Sequence, residues 1–91
     1  MSDPYEVVVG TDVARSIRRL PKQSQKAVIE ALINLGADPR AGKPLVGELA
    51  GIWSLRRGDY RVLYRIDDLK RRVEVARVGH RRDVYRRASG R

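Results

Sequence analysis

The stretch Trp53-Ser54-Leu55-Arg56-Arg57-Gly58-Asp59-Tyr60-Arg61-Val62-Leu63-Tyr64-Arg65-Ile66-Asp67 decides the fold. Two alternating apolar runs flank Gly58-Asp59, and a two-residue break of this kind is a β-hairpin signal. Within 60–67, Tyr60, Val62, Tyr64 and Ile66 share one face, and Arg61, Leu63, Arg65 and Asp67 share the other, because strand side chains alternate. One face meets the rest of the protein and the other presents arginines on rigid backbone. A polar turn at 67–71 leads to a third run, in which Val73, Val75 and Arg77 alternate with Glu74, Ala76 and Val78. That pattern places a two-sided strand near the middle of the sheet.

Upstream, residues 5–10 form a short apolar run with Val7, Val8 and Val9, which reads as a buried strand. Thr11 or Asp12 can cap a helix over 12–20, with Val13, Ile17 and Leu20 at helical spacing and Pro21 ending it. A second helix is expected over 22–35. Val28, Ala31, Leu32 and Leu35 form its inner face, Ile29 and Ile33 widen it, and Gly36 is its expected C-cap. Residues 38–51 contain Pro39, Gly42, Pro44, Gly47 and Gly51 and read as a loop long enough to carry function. The expected fold is one α+β domain over 1–91, in the order β-α-α-β-β-β. A helical hairpin packs on one face of an antiparallel sheet core, and a short helical turn closes the chain at 82–87.

Charge is uneven along the chain. Residues 52–91 hold thirteen Lys/Arg and five Asp/Glu, a net of +8, whereas residues 1–51 hold seven and six. Cations mounted on strands suit a polyanion, with single-stranded nucleic acid the first candidate. Cysteine is absent and there is one histidine. No disulfide or Cys-based zinc site can form, and no metal or cofactor is expected. The chain shows neither a secretory leader nor an apolar run near the ~20 residues that span a bilayer.

Val78-Gly79-His80-Arg81-Arg82-Asp83-Val84-Tyr85-Arg86-Arg87 sets an imidazole, guanidiniums and a phenol where the chain leaves the sheet. Cleavage of RNA through its own 2′-hydroxyl needs a proton acceptor, a proton donor for the leaving oxygen, and positive charge on the crowded phosphate. Each residue also has an ordinary reading: arginine runs are usually solvated, a lone histidine at a strand end is usually a surface polar group, and Tyr85 can be a packing aromatic. Arg61 stands out, because a charge two places into a central strand needs a partner. The alternatives are an anionic ligand or an ion pair with Glu74 or Asp83.

The segment Gly51-Ile52 followed by the hairpin through Asp67 resembles the sheet region of the RelE/ParE toxin superfamily, and Val78 to Tyr85 resembles its C-terminal motif. Gly42-Lys43-Pro44-Leu45 and the helical hairpin also fit, so the resemblance covers nearly the whole chain. It implies a RelE-type toxin of a type II toxin–antitoxin pair. Such a toxin is a cytoplasmic, metal-independent endoribonuclease that cuts mRNA in the ribosomal A site, leaves a 2′,3′-cyclic phosphate and arrests translation and growth. The implied partners are mRNA, the ribosome and a cognate antitoxin, with operator DNA bound only through the complex and no membrane association.

By motif position Arg61 corresponds to a phosphate-stabilising arginine. Arg81 corresponds to one that binds phosphate or protonates the leaving group, and Tyr85 to a tyrosine that orients or protonates. His80 falls where relatives carry a basic residue or histidine. Two strand lysines of some relatives, one credited as general base, fall here at Ile52 and Ser54, so His80 is expected to take that role. Lys43, Arg56, Arg57, Arg65, Arg77 and Arg82 are expected as supporting substrate contacts. The rival readings are a ParE-like toxin that poisons gyrase without nuclease activity, and a non-catalytic nucleic-acid-binding module.

Overall fold

The computed structural model describes residues 3–82 and residue 84. Along the chain run β1 (Glu6–Val9), α1 (Thr11–Arg18), α2 (Lys22–Ala37), β2 (Lys43–Pro44), β3 (Trp53–Arg57), β4 (Tyr60–Asp67) and β5 (Arg72–His80). The strands form one sheet in the order β1-β5-β4-β3-β2. Arg57 pairs with Tyr60 around Gly58-Asp59. Only Gly58 of these two turn residues has a positive φ, 61°, the pattern of a type II′ turn.

The sheet is mixed rather than purely antiparallel. β2 to β5 pair antiparallel, but β1 runs parallel to β5, with Val7 opposite Val73. A helical hairpin and a loop separate β1 from the other strands, and a connection of that length allows a parallel neighbour. The long loop also holds more structure than its composition indicates. A 3-10 turn at Pro39–Ala41 precedes β2, which edges the sheet by pairing Lys43 with Ser54 and Pro44 with Trp53.

Both helices pack on one face of the sheet. Val13, Ile17, Val28, Leu32 and Leu35 meet Val62, Tyr64, Val73, Val75 and Val78 in a single core, each fully buried side chain contributing about 1.5–3 kcal/mol. The helix ends differ from the sequence reading. Gly10 occupies the N-cap of α1 with no side-chain cap, its carbonyl accepting the Ala14 N–H at 2.9 Å. Gly36 lies inside α2 rather than capping it. Its carbonyl accepts the Tyr5 N–H at 2.7 Å, and a Cβ there would stand 2.9 Å from the Tyr5 carbonyl oxygen. Close approach of the N-terminal segment, not a helix end, demands this glycine.

A β-bulge corrects the strand alternation. Leu63 pairs with Arg77 but Tyr64 pairs with Val75, so Ala76 is the extra residue. Val73, Val75 and Val78 consequently all face the core, and Arg77 is turned to the opposite, open face beside Leu63. Bulges re-aim a side chain in this way.

One exposed cluster ties the N-terminus, the 38–42 loop and the β4–β5 turn together. Asp68 accepts from Tyr5 Oη at 2.7 Å and from both terminal nitrogens of Arg40 at 2.7 and 3.3 Å. The Arg40 and then the Tyr5 hydrogen bonds hold the Asp68 carboxyl below the usual carboxylate range. A depressed folded pKa gives stability that is complete above the unfolded value of ~3.9 and lost as pH falls through the folded one. Asp68→Asn is therefore expected to melt below wild type at pH 7, with the gap closing in acid below the usual carboxylate range. Melting curves for both proteins at pH 7 and in strong acid check this; a gap that persists in acid would assign the effect to something other than the charge.

Candidate functional site

The open face of the sheet carries the cations. Cross-strand partners share a face, so the register groups Lys43 with Ser54, Ser54 with Leu63, Arg56 with Arg61, Leu63 with Arg77, and Arg65 with Glu74. Lys43, Arg56, Arg61, Arg65 and Arg77 thus stand on one surface. The edge strand supplies Lys43, the hairpin supplies Arg56, Arg61 and Arg65, and the bulge supplies Arg77.

Its centre is a cleft of about 330 Å³ bordered by Gly42, Lys43, Leu45, Ser54, Arg56 and Arg61. Arg61 is half-buried and donates from Nη1 to Ser54 Oγ at 3.1 Å. Ser54 itself is 5% exposed, so a buried hydroxyl fixes the guanidinium. Arg56 donates from Nε to the Gly58 carbonyl at 3.2 Å. Like charges directly opposite on a sheet are destabilising, yet Arg56 and Arg61 are direct partners. That arrangement suits an anion that bridges them. Glu74 lies opposite Arg65, four residues along β4 from Arg61, about 13 Å at the strand rise. The register therefore removes Glu74 as the ion-pair partner of Arg61; Asp83 lies outside the described residues.

The other expected site residues divide. His80 is paired with Tyr60, their rings edge to face at 5.8 Å, which places it on the helix side at the end of β5, across the sheet from Arg61. Its Nδ1 accepts the Arg82 N–H at 3.2 Å, so the neutral ring carries its proton on Nε2 and offers a donor there. Arg57 also faces the helices, with Nη2 3.6 Å from Glu30 Oε1 of α2. Arg81 and Arg82 are exposed in the turn after β5, and the Arg81 N–H donates to the Asp59 carbonyl at 2.8 Å. Tyr85 and most of the expected C-terminal helical turn lie outside the described residues. Val84, which is helical, is 1% exposed and packs over Gly79, the direct partner of Arg61. Val84 therefore lies on the open face, beside the strand position that faces Arg61.

Two features of the site were not legible as such. Ser54 was notable in the sequence only for not being a lysine, and the alternation that put it on the Arg61 face was the available signal. Tyr64 reads as core packing, and it does stack on Trp53 at 6.4 Å. Its hydroxyl, however, donates to the Pro39 carbonyl at 2.7 Å and accepts the Gly42 N–H at 3.1 Å. No local pattern announces a contact more than twenty residues away. Among the described residues no three His, Cys, Asp or Glu side chains converge as a metal ligand set, and no helix is long and apolar enough to cross a membrane.

A small α+β domain with a helical hairpin on one sheet face and cations on the other is the architecture of a type II toxin. The family described as "ParE toxin of type II toxin-antitoxin system, parDE" matches residues 10–85, and the chain belongs to it. Within the RelE/ParE superfamily it is of the RelE type. It is 50% identical over 86 residues to Toxin RelG of Mycobacterium tuberculosis, covering 92% of this chain and 99% of that protein. It is 43% identical over 90 residues to Toxin RelE of the same organism, covering 94% and 93%. Among solved structures, the toxin–antitoxin complex RelBE2 of M. tuberculosis contains a chain 48% identical at a TM-score of 0.79, covering 86% of this chain and 99% of that one. The isolated Escherichia coli RelE toxin shares the fold at 23% identity and a TM-score of 0.71, covering 93% and 95%.

Proposed function

We propose that this toxin is an endoribonuclease that cleaves mRNA on the ribosome, in the A site, and is neutralised by a cognate antitoxin. The observation that carries the reading is the directly paired Arg56 and Arg61 beside Lys43, with Arg61 fixed by a buried serine. Such a site binds a phosphodiester and stabilises the extra charge of a pentavalent transition state. Arg61 contacts the scissile phosphate, and Lys43, Arg56, Arg65 and Arg77 hold the flanking strand. Arg81, exposed in the turn after β5, and Tyr85 bind the phosphate or protonate the leaving group. His80 stands on the helix side at the end of β5, so it transfers a proton only to a strand that wraps that end of the sheet. Arg57 and Arg82 contribute to the surrounding field. The 2′-hydroxyl is the nucleophile and the product a 2′,3′-cyclic phosphate, so the chemical step needs no metal.

The protein acts in the cytoplasm, where mRNA and ribosomes are. A RelB-type antitoxin is the expected partner, since the similar M. tuberculosis chain is part of a toxin–antitoxin complex; operator DNA is contacted through that complex. The test is induced expression with 5′-end mapping of transcripts, run beside a gyrase supercoiling assay. The family description names ParE, so gyrase inhibition without new transcript ends would replace the nuclease reading.

RNA affinity is expected to fall steeply with salt. Four to six phosphate contacts give a log K against log[salt] slope of about −3 to −4 for a single strand. Titrations of an RNA oligonucleotide at several salt concentrations measure it, and a flat response means the cationic face meets something else.

A further inference from the structure

Lys43 can serve the cleft only if the edge that carries it is held in place, and the ladder alone holds it weakly. β2 has two residues, and one of them, Pro44, has no N–H to donate. We propose that Tyr64 is a positioning residue whose buried hydroxyl clamps the Pro39–Gly42 backbone and so sets Lys43 over the cleft beside Arg56 and Arg61. The proposal rests on the RNA-site reading above.

The geometry is specific. Tyr64 is fully buried on the helix side of the sheet, and its hydroxyl reaches the loop as the loop passes the sheet edge. The phenol uses its single donor on the Pro39 carbonyl and accepts the Gly42 N–H. The next residue, Lys43, is directed to the open face by its pairing with Ser54. Burial raises the phenol's pKa, which keeps it in the protonated form that the clamp uses. Gly42 fits so closely that a Cβ would stand 2.6 Å from the Ser54 carbonyl oxygen and 2.7 Å from the Tyr64 hydroxyl. On the Pro39–Gly42 side the other side-chain ties come from Arg40, which pairs with half-exposed Asp68 and lies 5.9 Å from the Trp53 ring centroid, an exposed class worth little on its own. Past β2 the Leu45 N–H donates to the Ile52 carbonyl at 2.8 Å. The buried hydroxyl is therefore the main restraint on the Pro39–Gly42 side of Lys43.

The test combines two readouts. Amide exchange at Gly42 reports the clamp without RNA, and the salt slope for a single-stranded RNA oligonucleotide reports Lys43. In Tyr64→Phe, exchange at Gly42 is expected to accelerate at least ~10-fold, and the slope to become shallower by about 0.7, one phosphate contact. Lys43→Met is expected to give the same change of slope, and the double variant no more than either. Gly42→Ala, which lifts the loop while leaving the Tyr64 ring in the core, is expected to match them and serves if Tyr64→Phe does not fold. Retained protection at Gly42 overturns the proposal, as does a double variant whose losses add. If Lys43→Met leaves the slope unchanged while Arg61→Ala lowers it, the clamp fails as a device for RNA binding and the RNA reading stands. If wild type binds RNA with no salt dependence, the RNA reading itself has failed and the proposal falls with it.

Discussion

Arg61→Ala is expected to abolish growth arrest and to lower the single-turnover cleavage rate about 100-fold or more, while the protein stays folded. The two effects separate because the fold can absorb its loss and the reaction cannot. At Ser54 Oγ the substitution removes a hydrogen bond from a charged donor, for which about 1.5–3 kcal/mol is the ordinary scale. The substitution also relieves the like-charge pairing with Arg56, which works in the opposite direction by up to ~1 kcal/mol. A folded domain's usual ~5–15 kcal/mol absorbs a loss on that scale. Losing a fixed cation at the reacting phosphate costs about 3 kcal/mol of transition-state stabilisation, the hundredfold above. Ser54→Ala should fall between wild type and Arg61→Ala, because it leaves the charge in place and removes one restraint on it. Melting curves, toxicity on induction and single-turnover rates for the three proteins together decide the matter. A folded Arg61→Ala protein that still arrests growth would remove Arg61 from the site.

The hairpin and its two-faced strand were legible because the signals are local. Gly58-Asp59 marks the turn, and the period-two pattern of 60–67 assigns Val62 to the core and Arg61 to the open face. The helices were legible for the same reason, with Val28, Leu32 and Leu35 buried at helical spacing. The features that were not legible are those set at a distance. Simple alternation puts Arg77 with Val73 and Val75, and only the unpaired Ala76, fixed by pairing to β4, moves it to the cationic face. The parallel placement of β1 depends on where α2 leaves the N-terminal segment, which Gly36 controls through its contact with Tyr5. His80 shows the limit for the site. The tract 78–87 places it next to Arg81 in sequence, yet neighbouring strand residues face opposite ways. The register sends His80 to the helix side with Tyr60, while Gly79 faces Val84 on the other. Proximity in sequence gave the residue set without its geometry.

Substituting hydrogen for the 2′-hydroxyl at the cut site should block cleavage outright while binding persists with the same salt slope. The described cleft supplies cations in fixed positions, and its hydroxyl, Ser54, is buried and already accepts an Arg61 N–H. On the proposed mechanism the attacking oxygen is the substrate's own 2′-hydroxyl, which is adjacent to the phosphorus. Protein groups have only to move protons and neutralise charge, which allows the chemical step to proceed in EDTA on a substrate already bound. Proton transfer at His80 contributes about 10²-fold if it acts as acid or base, so His80→Gln is expected to slow the step by that factor. In the neutral ring Nδ1 accepts the Arg82 N–H and Nε2–H is too weak an acid for the leaving group, so protonating the departing 5′-oxygen requires the imidazolium, whose formation gives up that bond. A substrate whose leaving group needs no proton should therefore rescue His80→Gln and leave Arg61→Ala impaired. Cleavage of the 2′-deoxy substrate would overturn the mechanism. Wild-type rates in His80→Gln would confine His80 to packing against Tyr60 and leave Arg81 and Tyr85 to move the proton.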